Sequence, residues 1–555
     1  MIQTAFVTYW AHIHLASLLL IAALAAYAFR SSTIRPLTSA ANVLASPRWR
    51  ILDAAVIVLA VAHCTFYAIL PNFSDYGEPV IPILAGNYLQ GAPVYADWTG
   101  GQFLVGSNYG PYVFLAQLPA VLFHPTILAS KLTGIGFGIG SLVLVFLVVM
   151  GRTRSARDAI AICALMVALL SSQLHYWFWN RPDPILVAVV ALATLLFDRT
   201  RPATCLVWLG LLAGIATNLK LFGAAYLVPL ALACVPMIPS WTRALGAAAF
   251  GGILFAVAIV APFALGVSAA EPYLANVLMM RKQGFVASAS LESALYGLVI
   301  LSLPLLLIRR RTGRREDRVM IAALVVCTLL VAMVAGKPGG GPPYMMPFVP
   351  LALYLSTRLT SQQQPAPRRE TSIRRAAMCV VLVCAMPIWL YSWFQMAKQV
   401  STLPAERETA VELRRLLTEF PASEIGHNAG LGASSEEFLR VEKAFMGQVV
   451  HFDYVNFADQ RAAGLAASVV YPLFEDCLIP TWLLPRDGGR FLGTGYNGQR
   501  LLDSGAVAHF RDNYSLASQH TYFEVWQCNR HSGRIAAPQD AASPSPDRAL
   551  REGDP

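Results

Sequence analysis

An α-helical bundle crossing a membrane about twelve times, followed by a smaller C-terminal α/β domain outside it, is the fold this sequence predicts. Three observations carry that prediction. The 555 residues are 56% hydrophobic and only 13% charged, against about 25% charged in ordinary soluble proteins. Apolar runs of spanning length recur along the first 395 residues. Arginines gather in alternate gaps between those runs, the asymmetry that marks cytoplasmic loops. The net charge of +10 is therefore a membrane signature. No interleaving of basic and aromatic residues points to a nucleic-acid surface.

The N-terminal stretch MIQTAFVTYWAHIHLASLLLIAALAAYAFR lacks a basic n-region and a clear cleavage site, so it is expected to be a retained first span. The candidate spans are 10–29, 51–71, 126–150, 158–177, 184–198, 203–219, 221–237, 243–266, 292–308, 319–336, 343–357 and 376–394. Arginine clusters lie at 30–50, 151–157, 309–318 and 358–375, whereas 72–127 holds no Lys or Arg. With the clusters inside, both termini and the loop 72–127 fall outside, as expected of a multi-pass protein of the bacterial plasma membrane.

The loop 72–127 opens with a helical-looking PVIPILAGNYLQG and continues through a Gly-rich stretch to YVFLAQLPAVLF. That last run is too short to span and is expected against the bundle or at the interface. From 396 to 530 the character changes to a small extracytoplasmic α/β domain. AERETAVELRRLLTEF reads as an amphipathic helix, and GQVVHFDYV, ASVVYPLF and HTYFEVWQC read as strands. Residues 531–555 are rich in Pro, Ser and Asp and are expected to be disordered. Of nine cysteines, seven lie in spans; Cys477 and Cys528 alone fall in the outer domain, where an oxidising compartment makes them a disulfide candidate.

Ionisable groups near a membrane core are costly and often functional. On the predicted outer side they are few: Asp75 and Glu78 in NFSDYGEP, Arg181 and Asp183 in FWNRPDP, Lys220 in NLKLFG, Arg281 and Lys282 in MMRKQGF, and Lys337 in GKPGGGPPY, followed by Tyr344. Cations at one face suit an anionic phosphate. A carboxylate among them suits deprotonation of a hydroxyl or ligation of a divalent metal. Structural alternatives stand beside each. Asp75 and Glu78 have the spacing of a capping box. Asp183-Pro184 suits a helix start, with Arg181 as its pair. Lys220 can snorkel, the glycines after Lys337 can form a tight turn, and His175 fits an aromatic interface belt.

Together these segments resemble the polytopic GT-C glycosyltransferases, which take sugars from polyprenyl-phosphate carriers on the outer membrane face. Protein O-mannosyltransferases and lipid A aminoarabinose transferases are of this type. SDYGEP stands where the family has an acidic, often Asp-Glu, motif after a span, here with the acids three apart. NYGPYVFLAQLP stands at a Lys-Pro-Pro position, with Tyr109 in place of the lysine. GLLAGIATNLKLFG is similar to a Gly-rich helix ending in Thr-Lys-Gly, and GKPGGGPPYMMPFVPLAL to a late Lys…Tyr-x-x-Pro-x-x-Pro segment with a longer glycine insertion. The resemblance implies transfer of a sugar from a polyprenyl-phosphate carrier to a lipid, glycan or protein acceptor. It implies Asp75 or Glu78 as base or metal ligand, and Lys220 and Lys337 with Tyr344, Arg181 and Asp183 around the donor. The one cofactor it admits is a divalent metal ion at Asp75 and Glu78. A secondary transporter or flippase is the competing class; it usually carries internal repeats, and none is visible here.

Overall fold

The computed structural model describes residues 49–75, 77–98, 103–308, 314–361, 368–426, 432–486 and 500–530, with isolated positions between 12 and 20 and at 491 and 493. Apart from those isolated positions, the expected first span (10–29) lies outside the described residues, as does the tail (531–555).

The chain is helical through most of its length, as its apolar runs require. Among the described residues seven helices are long and apolar enough to cross a membrane: Arg50–Ile69, Ile127–Thr153, Pro202–Leu219, Trp241–Ala264, Ala287–Leu305, Arg315–Val334 and Val380–Glu419. Other expected spans are helices of a different kind. Ala156–Ser171 and Phe348–Ser361 have 16 and 14 residues, and the run 221–237 breaks into short pieces around Val228–Cys234. The reason is burial. Ala164 through Leu170 are all buried, so this helix is apolar on every side because protein surrounds it. Trp241–Ala264 is the opposite case: Leu245, Phe250, Ile253, Val257 and Val260 are exposed, an apolar face suited to lipid. The last span departs most from expectation. It is one 52-residue helix, Arg368–Glu419, which absorbs both 376–394 and the amphipathic AERETAVELRRLLTE and holds Pro387 and Pro404 within it.

The segment 72–127 carries three short helices, Val80–Leu89, Tyr112–Leu115 and Leu118–Phe123. In the first, Val80 through Asn87 are buried, packed between the bundle and the C-terminal region. Asn87 is the polar residue that fixes its register: its amide donates to the Val450 carbonyl at 2.8 Å and accepts from the Val450 N–H at 2.9 Å. Leu104 bridges Phe452 in parallel, with bonds of 2.7 Å from its N–H to the His451 carbonyl and 3.0 Å from the Asp453 N–H to its own carbonyl. Segment 72–127 and the C-terminal region are thus stitched together on one side of the bundle.

The C-terminal region has a four-stranded sheet of β1 (Ser423–Ile425), β2 (Thr481–Pro485), β3 (Tyr514–Gln519) and β4 (Phe523–Cys528), in the order β1-β2-β4-β3. β1 is parallel to β2, and the other pairs are antiparallel. Of the three expected strands only HTYFEVWQC forms one. GQVVHFDYV is extended chain whose pairing is the single bridge to Leu104. ASVVYPLF is a 3-10 turn followed by a short helix, Tyr471–Glu475. Pro472 at the first helical turn favours that outcome; before it, Val470 is buried and Val469 half-buried by packing rather than by a ladder. Beneath the sheet Glu424 is fully buried against Lys443 at 2.9 Å. Burial alone raises a carboxyl, but Lys443 and the bonds from His451 outweigh it and hold Glu424 at about 2.

Cys477 and Cys528 are joined in a disulfide, with Cα atoms 6.0 Å apart. It ties β4 to the turn after Tyr471–Glu475. Closing a loop of 51 residues contributes roughly 3–4 kcal/mol in the chain-entropy account. Cys477→Ser with Cys528→Ser is therefore expected to lower the unfolding midpoint of this region by that free energy. Peptide mapping without reductant that recovers both native thiols free would contradict the bond.

Candidate active site

A cavity of about 350 Å3 opens where segment 72–127 meets the helix ends, and most of the residues singled out in the sequence line it: Asp75, Arg181, Asp183, Lys220, Lys337 and Tyr344, joined by Tyr109, Tyr176, Trp179 and Glu292. Arg281 and Lys282 do not join them; they are exposed on a short turn. Glu78 does not line the cavity either.

The difference between Asp75 and Glu78 is the most informative feature of the site. Both lie between the helices Trp49–Ile69 and Val80–Leu89. Asp75 Oδ1 accepts from the Gly77 N–H at 2.8 Å, an Asx turn that leaves the carboxylate directed at Arg181, 3.4 Å from its Nη1. Arg181 lies over the Trp179 ring at 4.6 Å. Gly77 makes the approach possible, because a Cβ there would sit 2.2 Å from Arg181 Nη2.

Glu78 turns inward and is fully buried. Its Oε1 accepts the N–H groups of Ser74 at 2.9 Å and Asp75 at 3.0 Å. Its Oε2 accepts from the Asn180 N–H at 3.0 Å and from the Tyr67 hydroxyl. Burial pushes the Glu78 carboxyl up from its ordinary value, opposed by the bonds from Tyr67 and Asn180 and by Lys131. One carboxylate thus grips the backbone of Asp75 and of the residue before Arg181. Glu78 holds both backbones and, unlike Asp75, does not line the cavity. Half of the expected capping box is real, since Glu78 accepts the Asp75 N–H. The reciprocal half is absent: Asp75 bonds Gly77, and the following helix begins only at Val80.

Lys131, a buried lysine within the span Ile127–Thr153, supports this loop. Its Nζ donates to the carbonyls of Tyr67 and Leu70, each at 2.8 Å, and to that of Asn72. It caps the end of the helix that leads into Asp75. Sequence inspection passed over it because a single lysine inside an apolar run reads as part of the span. The charge of Glu78 and these three carbonyls are what make it tolerable there.

Replacing Glu78 tests the positioning role. Glu78→Gln offers one oxygen where four donors converge and leaves buried N–H groups unmet, at about 1–3 kcal/mol. The expected result is a lower thermal midpoint, with loss of transfer that follows loss of fold. Unchanged stability with lost transfer would return Glu78 to the chemistry.

On the other wall Lys220 follows the helix Pro202–Leu219. It is buried, donating to Asp183 Oδ1 at 2.6 Å and lying 4.1 Å over the Tyr344 ring. It does not snorkel. Asp183 does not cap its helix: Arg181 occupies the cap position, Pro182 opens the helix, and no side chain caps it. The Asp183 carboxylate is committed to Lys220. Tyr344 is fixed through its carbonyl, which accepts from the Tyr226 hydroxyl at 2.8 Å. Burial raises the Tyr109 and Tyr344 hydroxyls well above the ordinary tyrosine value, so both stay neutral. The stretch after Lys337 does form the tight turn its glycines allow, with Gly339 at φ +73°, and the same turn forms one side of the cavity. His175 is inside the bundle rather than in an interface belt, with Nδ1 3.4 Å from Ser392 Oγ.

A divalent metal at Asp75 and Glu78 does not fit these residues. The Glu78 oxygens are taken by four donors, and Asp75 faces a guanidinium. Among the described residues no group of three His, Cys, Asp or Glu side chains is placed to ligate a metal.

Residues 109–338 match the family model of glycosyltransferase family 87. That stretch begins at Tyr109 and includes Arg181, Asp183, Lys220, Glu292 and Lys337. The chain also resembles solved structures over most of its length. ArnT from Cupriavidus metallidurans bound to undecaprenyl phosphate is 13% identical, with a TM-score of 0.53 over 89% of this chain and 100% of that one. ArnT from the same organism in the apo state is 13% identical, with a TM-score of 0.50 over 86% and 97%. At that identity the likeness is one of fold, and it is a likeness to a polytopic membrane fold. No protein with a curated description matches the chain in sequence.

Proposed function

We propose that this polytopic membrane protein is a glycosyltransferase whose sugar donor, carried on polyprenyl phosphate, binds in the cavity between Asp75 and the cations Arg181, Lys220 and Lys337. The observation that supports it is the composition of that cavity: the carboxylates Asp75, Asp183 and Glu292 and the three cations face a single space. The solved ArnT structure with undecaprenyl phosphate has the same fold, which favours a lipid phosphate as the anion. The loop 72–127 and the C-terminal domain then stand on the outer face of the plasma membrane, where the acceptor arrives.

The chemistry is an inverting displacement. Asp75 takes the proton of an acceptor hydroxyl as its oxygen attacks the anomeric carbon. The bond from that carbon to the phosphate oxygen breaks, and the electron pair leaves with the carrier. Polyprenyl phosphate is a competent leaving group, so the protein's task is to neutralise its charge; preformed cations in a low-dielectric site do this without reorganisation. Arg181 keeps Asp75 oriented beside the phosphate, and Asp183 holds Lys220 in place.

Native mass spectrometry of freshly purified protein tests the donor class. The expected result is a co-purifying polyprenyl phosphate or its sugar ester, displaced by added undecaprenyl phosphate. Protein that carries only bulk phospholipid, and that undecaprenyl phosphate does not occupy at saturating concentration, would contradict it.

A further inference from the structure

We propose that Glu292 recognises the hydroxyl groups of a sugar ring without a carboxylate held in the cavity, with Ser288 beside it. The inference rests on the donor-site reading above and adds which part of the substrate the far wall contacts. Glu292 is the single Asp, Glu, Lys or Arg of the helix Ala287–Ile308, and a carboxylate in an apolar spanning helix costs free energy unless something satisfies it. It is 6% exposed and lines the cavity. Among the described residues no hydrogen bond or ion pair reaches its carboxylate. The other two cavity carboxylates are engaged, Asp75 with Gly77 and Arg181, Asp183 with Lys220.

Ser288 lies one turn earlier, four residues away, on the same helix face, and also lines the cavity. The start of this helix is held to the Lys337 loop, because the Val286 N–H donates to the Gly336 carbonyl at 2.5 Å. Glu292 is therefore kept in fixed relation to the proposed phosphate cations. An ionised carboxylate only accepts hydrogen bonds, and adjacent sugar hydroxyls supply two donors at the spacing of its two oxygens. Glu292 itself repels a uronate, so the ring it accepts is one without a carboxylate.

The ring belongs to the donor or to a glycan acceptor, and two measurements on the full-length protein in detergent separate these. In the first, affinity is compared for bare undecaprenyl phosphate and for undecaprenyl-phosphoryl hexose, with wild type and Glu292→Gln. In the second, KM is measured for methyl glycosides as soluble acceptors at saturating donor. A donor contact predicts that Glu292→Gln erases about 10- to 100-fold of the preference for the sugar-bearing carrier and leaves bare-carrier affinity unchanged. An acceptor contact predicts a comparable rise in acceptor KM. Ser288→Ala is expected to move the same quantity less. The proposal is overturned if Glu292→Gln moves neither quantity, or if it weakens bare and sugar-bearing carrier equally. Failure of wild type to bind either carrier would instead reject the donor-site reading on which it rests.

Discussion

Asp75→Asn is expected to leave the fold intact and to lower sugar transfer by a factor of about 10²–10⁴, the usual worth of a general base. The fold survives because asparagine keeps an oxygen for the Gly77 N–H and replaces aspartate well in such turns. The lost ion pair with Arg181 is partly exposed, with side-chain accessibilities of 20% and 19%, so it contributes only about 0–1 kcal/mol. Chemistry does not survive, because an amide cannot take the acceptor proton. A purely structural Asp75 predicts a different pattern: Asn nearly silent, and Asp75→Ala losing about 1 kcal/mol of stability with transfer retained. Thermal unfolding together with single-turnover transfer on both variants distinguishes the two.

The second large effect is at Lys220. Lys220→Met leaves Asp183 buried without its partner, at about 3–5 kcal/mol, and removes a charge proposed to hold the donor phosphate. The two losses are separable. Asp183→Asn combined with Lys220→Met removes both charges, and replacing a buried pair by neutral groups is often nearly neutral for stability. The double variant is therefore expected to recover most of the stability and little of the donor affinity. Recovery of both would make Lys220 a structural lysine only, and the phosphate would then have to be held by Arg181 and Lys337.

The polar constellation was legible in the sequence because charges near the ends of apolar runs are scarce, and scarcity itself marks them. Asp75, Arg181, Asp183, Lys220, Lys337 and Tyr344 converge in the structure because the helix ends that carry them meet on one side of the bundle. Their individual duties were not legible. Asp75 and Glu78 are both carboxylates in one short turn, and only the backbone path shows that one faces the cavity while the other is consumed by four donors. Lys131 and Glu292 were hidden for a common reason: each is the one charge within an apolar run of spanning length, 126–150 and 292–308. Among the described residues, length and hydropathy set the seven long apolar helices apart from shorter buried ones such as Ala156–Ser171, but hydropathy does not distinguish a protein interior from lipid. In the C-terminal domain β-branched and aromatic runs were assigned to strands, but Pro472 turned one into a helix. The short β1, SEI, had too few residues to show a period.

The most direct test of the account is a single-turnover reaction of the purified protein with radiolabelled undecaprenyl-phosphoryl sugar in reconstituted vesicles. Wild type is expected to release or transfer label with formation of undecaprenyl phosphate, and Asp75→Asn to do so at a rate lower by about two orders of magnitude or more. Movement of the intact labelled lipid across the bilayer without cleavage, equal in wild type and Asp75→Asn, would contradict it.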